Sequence, residues 1–149
     1  MAPLATTERN ATAGPDLPAS ARVLGRMTIP GRPEHVGAAR SFVAGSLRGH
    51  PATDVVVLLA SETVTNAVVH SDSRRPGGKV TVTVLEAAGG VRVEVADQGS
   101  ELSIPVVKGD GFVTGGHGLF LVQALAAEWG YVRGEPGTTV WFQVGPGQQ

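Results

Sequence analysis

The sequence predicts an α+β protein, a two-layer sandwich in which helices cover one face of a sheet. Three observations lead there. KVTVTVLE (79–86) and VRVEVA (91–96) alternate apolar and polar residues and are separated by a short reversal, which reads as an antiparallel hairpin. In DVVVLLASETVTNAVVHS (54–71), Val55, Leu58, Leu59, Val64, Ala67 and Val68 recur at spacings of three and four, the period of a helix. The full order is strand, two helices, two strands, a glycine-rich loop, a helix and two strands, so helices are segregated and strands are mainly hairpin-linked.

At 149 residues the chain has the length of one domain with a sizeable core. Residues 1–20, rich in Ala, Thr and Pro, have no periodicity and are expected to be a disordered tail before a folded unit over 21–145. RVLGRMTI (22–29) alternates as a strand and stops at Pro30-Gly31. Pro33 then opens a helix, with Glu34 at its positive end and Val36, Ala39, Phe42, Val43 and Leu47 as one face. Gly49 and Pro51 close it. The next helix covers 52–70, with Thr53 or Asp54 as its cap. A polar turn, SDSRRPGG, leads into the hairpin. Residues 97–116 read as a loop, 118–129 as a helix with Leu119, Leu121, Val122, Leu125 and Ala126 inward, and 129–132 and 138–144 as strands. Residues 146–149 are a loose end.

Composition excludes several classes. A net charge of −1 leaves no electrostatic footprint for nucleic acid or an anionic membrane. No apolar run approaches the roughly 20 residues that cross a bilayer. The first 20 residues lack the basic start and apolar core of a secretory signal. With no cysteine, disulfide and thiolate chemistry are absent. A cytoplasmic protein with neither nucleic-acid nor membrane partners is expected. Glycine, 21 of 149 residues, is about twice its usual share and points to tight turns or close approach to a ligand.

Four clusters carry candidate chemistry. Glu62, Asn66 and His70 are four apart and so share one helical stripe, where a carboxylate and a carboxamide among apolar neighbours call for a polar partner. Asp97 ends a buried strand two residues before Gly99, an acceptor beside backbone that a ligand can approach closely. Gly116-His117-Gly118-Leu119 runs into a helix, whose free N–H groups suit an anion. Thr138 and Thr139 open the last strand. Singly each has a plain reading: a solvated helix face, a turn, a helix start, β-forming threonines. The glycines do not make a P-loop, since no Lys-Ser/Thr pair follows, nor a dinucleotide fingerprint, since they do not follow a strand directly.

Taken in order, ExxxNAxxH on a helix, DxG after a hairpin, GxGL into a helix and GTTVxF on a strand resemble the motif series of the gyrase, histidine-kinase and MutL (GHKL) superfamily of ATPases. SETVTNAVVHS, GGHGLFLVQALAAEWG and GTTVWF are more closely similar to the small single-domain anti-sigma-factor serine kinases, in particular their actinobacterial relatives, over residues 22–144. The resemblance implies the two-layer sandwich of that superfamily, with a mixed, mostly antiparallel sheet and helices on one face. It implies ATP and Mg2+ as cofactors. Asn66 then holds the metal, and Glu62 is the general base. Asp97 reads the adenine amino group beside Gly99, and Thr139, or as a second choice Thr138, supports adenine through water. Gly116 and Gly118, with His117 and Leu119, form the hinge of a phosphate lid. It implies a sigma factor or a STAS-type anti-anti-sigma protein as partner, and a possible homodimer.

The chain departs from the pattern in two places. Gly99 is followed by Ser100-Glu101-Leu102 where the family continues DxGxG, and the segment 101–115 offers only Lys108 as a cation. His70 reads as a helix-end residue and Arg74 and Arg75 as turn charges. Two functions therefore stand side by side: a serine/threonine kinase acting on an anti-anti-sigma partner, and a nucleotide-dependent sequestering module with little or no phosphotransfer. A nucleotide-free relic of the fold is a third.

Overall fold

The computed structural model describes residues 21–70, 78–87, 90–97, 107–108, 111–112, 122, 125–133 and 137–145. Its frame is a five-stranded sheet. β1 is Arg22–Pro30, followed by a single 3-10 turn, Pro33–His35. Helices α1 (Val36–Ser46) and α2 (Thr53–His70) come next. β2 (Lys79–Ala87) and β3 (Gly90–Ala96) make the hairpin; β6 (Glu128–Arg133) and β7 (Thr138–Val144) make a second. The strand order is β1-β2-β3-β7-β6, and every one of these pairings is antiparallel. The architecture is the α+β sandwich expected.

Periodicity explains which side faces the helices. Val80, Val82 and Val84 of β2, Val91, Val93 and Val95 of β3, and Val140, Phe142 and Val144 of β7 all point to one face and are buried there. They meet Val56, Leu59, Ala60, Val64, Ala67 and Val68 of α2 and Ala39, Val43 and Leu47 near α1. Those α2 positions recur at three and four and define a single stripe. Thr63 lies within it, and its hydroxyl donates to the Leu59 carbonyl at 2.7 Å, which satisfies the one polar group of the stripe. Gly25 sits on the same side of β1, beside a bulge, where an added Cβ would lie 2.9 Å from the Phe42 ring. The missing side chain lets α1 settle onto the edge strand.

Three expectations are corrected in detail. Thr53 does not cap α2 by accepting: its hydroxyl donates to the carbonyls of Leu47 (2.7 Å) and His50 (2.6 Å), tying the helix start to the turn before it. The helix expected over 118–129 stops short. Val122 and Leu125 are helical and the Ala126 N–H reaches the Val122 carbonyl at 2.9 Å, yet Glu128 and Trp129 already belong to β6. The Ala127 N–H donates to Gln143 at 2.7 Å and Trp129 pairs with Phe142, so the sheet claims this segment. Within the expected loop 97–116, β4 (Val107–Lys108) and β5 (Gly111–Phe112) form a two-residue ribbon, too short to leave any periodicity. The expected tails, 1–20 and 146–149, lie outside the described residues.

Candidate functional site

Of the candidate residues that the structure describes, Asp97 and Thr138 meet at one end of the sheet, and Glu62 and Asn66 lie on a helix packed against it. The Gly31 N–H donates to the Gly78 carbonyl at 3.0 Å, which joins the end of β1 to the start of β2. The same end of the sheet holds the finish of β3 and the start of β7, since Thr81 pairs with Ala96 and Ala96 with Thr139. α1 and α2 pack against each other as a hairpin, and the 3-10 turn that follows β1 touches α2. α2, which carries Glu62 and Asn66, packs against β2 and against β3, the strand that Asp97 follows.

Around α2, Glu62 and Asn66 are half-buried and occupy the margin between the buried stripe and the exposed Asp54, Leu58, Thr65 and Val69. A side chain at such a margin keeps one side against apolar neighbours and presents the other to whatever fills the adjoining space. This is the partly desolvated setting in which a carboxamide oxygen or a carboxylate interacts strongly with a cation or a proton donor.

Asp97 is held by its backbone and its side chain together. Its N–H donates to the Thr138 carbonyl at 2.9 Å, and one carboxylate oxygen accepts the Thr138 N–H at 3.4 Å. Residue parity then separates the two threonines. Asp97 continues the series Val91, Val93, Val95, and Thr138 continues Val140, Phe142, Val144, so both belong to the helix-facing side. Thr138 is buried there, whereas Thr139 pairs with Ala96 on the opposite face. The structure thus brings Thr138 to Asp97 and turns Thr139 away. The signal was present in the sequence: alternation counted back from Phe142 reaches Thr138. Gly99, Gly116, His117, Gly118 and Leu119 fall outside the described residues, as do the side chains of His70 and Lys108.

Such a site has a half-buried acceptor at a strand end and a carboxylate–carboxamide pair on the neighbouring helix. Chemically it can bind an amino-bearing heterocycle at one point and a hard cation or a hydroxyl proton at the other. Among the described residues no helix is long and apolar enough to cross a membrane.

Comparison with known proteins gives two findings. The family model described as "Histidine kinase-like ATPase domain" matches residues 29–144. A serine-protein kinase RsbW from Oceanobacillus iheyensis is 25% identical over 114 residues, which cover 66% of this chain and 72% of that protein. The matched span starts at the last two residues of β1 and ends with β7, so it takes in both helices and the other four strands of the sheet.

Proposed function

Because the chain belongs to the histidine kinase-like ATPase domain family, with the ATP binding that membership carries, we propose that it is a regulatory Mg-ATP-dependent protein kinase of the anti-sigma-factor type. The reading is supported by Asp97, clamped to Thr138 at the end of β3, and by the half-buried Glu62 and Asn66 on α2, the helix that packs against β3.

In this reading Asp97 accepts a hydrogen bond from the exocyclic amine of adenine. Thr138, on its side of the sheet, supports the base in the role first assigned to Thr139. The carboxamide oxygen of Asn66 is a ligand to Mg2+, a cation that keeps several waters and takes few protein ligands. Bound Mg-ATP supplies the transferable phosphoryl group and the charge neutralisation that this transfer chiefly requires. Glu62, one turn before Asn66, takes the proton from an accepting serine or threonine hydroxyl. Gly116, His117, Gly118 and Leu119 supply backbone for the phosphates, and Gly99 leaves room beside adenine. The accepting protein is a STAS-type anti-anti-sigma factor and the regulated protein a sigma factor, as the resemblance of the motifs to anti-sigma-factor serine kinases implies; the similarity to a serine-protein kinase supports the kinase part of this reading. Self-association as a homodimer is part of the same proposal and rests on the motif resemblance alone.

The test compares Glu62→Ala, Asn66→Ala and Asp97→Asn by titration calorimetry with Mg-ATP and Mg-ADP and by phosphate transfer to a STAS-domain protein. Glu62→Ala is expected to bind nucleotide as the parent does and to lose transfer. Asn66→Ala loses the Mg2+-dependent part of binding, and Asp97→Asn loses binding of both nucleotides. Transfer that survives Glu62→Ala removes the kinase assignment. A parent chain that binds ATP but transfers nothing leaves the nucleotide-dependent sequestering module, which the single cation of segment 101–115 and the absent second glycine after Asp97 favour. Thr138→Val against Thr139→Val separates the two threonines: the first weakens ADP binding and the second leaves it unchanged.

A further inference from the structure

Two of the large apolar side chains that stay exposed among the described residues lie on α2: Leu58, 43% exposed, and Val69, 40%. Helical geometry sets them together. Eleven residues make about three turns, so Leu58 and Val69 point in nearly the same direction, about 16 Å apart along the axis. Thr65, exposed and seven residues after Leu58, falls between them on the same line. Its hydroxyl donates to the Ser61 carbonyl at 2.8 Å, so the helix itself already satisfies that donor. The outer ridge of α2 from 58 to 69 therefore offers apolar surface and little polar demand.

Glu62 stands beside this ridge. At about 100° of rotation per residue, with Leu58 as the origin, Val69 lies at about 20°, Glu62 at about 40°, Asn66 at about 80° and Leu59 at about 100°. Burial follows the same order: Leu58 and Val69 are exposed, Glu62 and Asn66 half-buried, Leu59 buried. Going round the helix toward the core, the order is apolar ridge, carboxylate, carboxamide. The carboxylate thus has the ridge on one side and the residue read as the Mg2+ ligand on the other. A hydroxyl that reaches Glu62 without crossing the space assigned to Mg-ATP comes over Leu58, Thr65 and Val69. Asp54, one turn before Leu58, is also exposed. The helix therefore carries two carboxylates, and neither lysine nor arginine anywhere in its length.

We propose that the ridge formed by Leu58, Thr65 and Val69 is the seat of the phosphate-accepting protein, which lays apolar side chains flanking its serine or threonine against Leu58 and Val69 so that the hydroxyl meets Glu62. The inference rests on the kinase reading above and adds to it the residues that select the acceptor. The accepting loop is uncharged or basic, since a carboxylate beside the hydroxyl would face Asp54 and Glu62. Leu58 and Val69 are positioning residues: they hold the acceptor, and the surface that each leaves open in the free protein is what the acceptor covers. Nucleotide affinity, set on the Asn66 side of the helix, is independent of them.

The test replaces both residues in the full-length chain, Leu58→Gln together with Val69→Gln, and uses a STAS-domain protein as the acceptor probe. Glutamine suits a helix and removes only apolar contact. KM for the acceptor is expected to rise about tenfold, while kcat and the affinity for Mg-ADP stay as in the parent. Leu58→Met together with Val69→Ile keeps the parent KM. Val23→Gln, at an exposed valine on β1, keeps it too. An unchanged KM in the glutamine variant overturns the docking ridge and leaves the kinase reading standing. If the parent transfers no phosphate, the kinase reading falls, and calorimetric binding of the STAS-domain protein in Mg-ATP decides the seat. Binding about tenfold weaker in the glutamine variant then supports the ridge; equal binding, or no binding by the parent, overturns it. Loss of self-association in the glutamine variant at an unchanged KM overturns it as well, by making a second copy the occupant.

Discussion

The two faces of this sheet are built on different principles. The helix-facing side is a comb of valines closed by Phe142, matched by the aliphatic stripe of α2, and the buried Thr63 of that stripe bonds within its own helix. Its residues are interchangeable in kind and specified by volume. The outer side buries an arginine, a tryptophan and a half-buried carboxylate: Arg92 stacks on Trp141 and approaches Glu94 at 3.4 Å. Arg26 Nε meanwhile donates to the buried Thr83 hydroxyl at 3.2 Å. Burying charge is costly unless it is paired, so a face of this kind contributes less to stability per residue than it does to specifying what may lie upon it. The fold rests chiefly on the first face.

The comparison is broken most directly by truncating the larger side chain on each side. Phe142→Ala on the helix face should cost about 3–5 kcal/mol, since a fully buried aromatic leaves a cavity that close-packed valines cannot fill. It is read from the shift in denaturant midpoint. Arg92→Met on the outer face keeps the volume and removes the buried charge, and should change stability by less than about 1.5 kcal/mol in either direction. If Arg92→Met proves the more damaging, the division of labour between the faces is wrong.

Glycines sharpen the same contrast at smaller scale. Gly90 belongs to the outer-face series of β3, and a Cβ there would run into the Val144 carbonyl oxygen and lie 3.2 Å from Gly145 Cα. Both obstacles are backbone, so Gly90→Ala should cost about 1–3 kcal/mol. Gly25→Ala on the helix side meets the Phe42 ring and the Ser46 hydroxyl, side chains that can turn aside, and should cost less. Thermal unfolding of the pair gives the order directly; an inverted order would place the rigid contact at the helix.

Why one face was legible and the other was not follows from the same chemistry. Valines at every second position announce a strand and its inward side, so β2, β3 and β7 emerge from the sequence within a residue of their observed ends. The three- and four-residue spacing did the same for α2. At the site, Glu62 and Asn66 were placed by that helical period, and Asp97 by its position after the strand. Alternation separates the two threonines, with Thr138 on the side of Asp97 and Thr139 on the other face. The end of the third helix was misjudged because Ala126, Ala127 and Trp129 fit either period; pairing with Gln143 and Phe142 decides for the strand, and no local pattern encodes partners that distant in the chain. Arg92, Glu94 and Trp141 read as ordinary outward residues because alternation assigns a side and is silent about what lies over it.

The smallest effect tests whether the outer face is buried in solution. Burial holds the Glu94 carboxyl above its ordinary value of 4.5, while the guanidiniums of Arg92 and Arg26, the charged groups that face it, pull it back down. A raised value means that the folded chain holds a proton that the unfolded chain has released. Glu94 therefore contributes a loss of stability that sets in as pH rises above about 4.5 and is complete once pH exceeds the raised folded value. Glu94→Gln removes this dependence. The stability of the variant minus that of the parent should rise with pH across that window and then level off, and the rise is held small because the two arginines oppose the shift. Denaturant midpoints of both proteins across this range measure it, and the other carboxylates cancel in the difference. A difference that stays flat would mean that water reaches Glu94 freely, and with it the Arg92–Trp141 stack that the carboxylate adjoins.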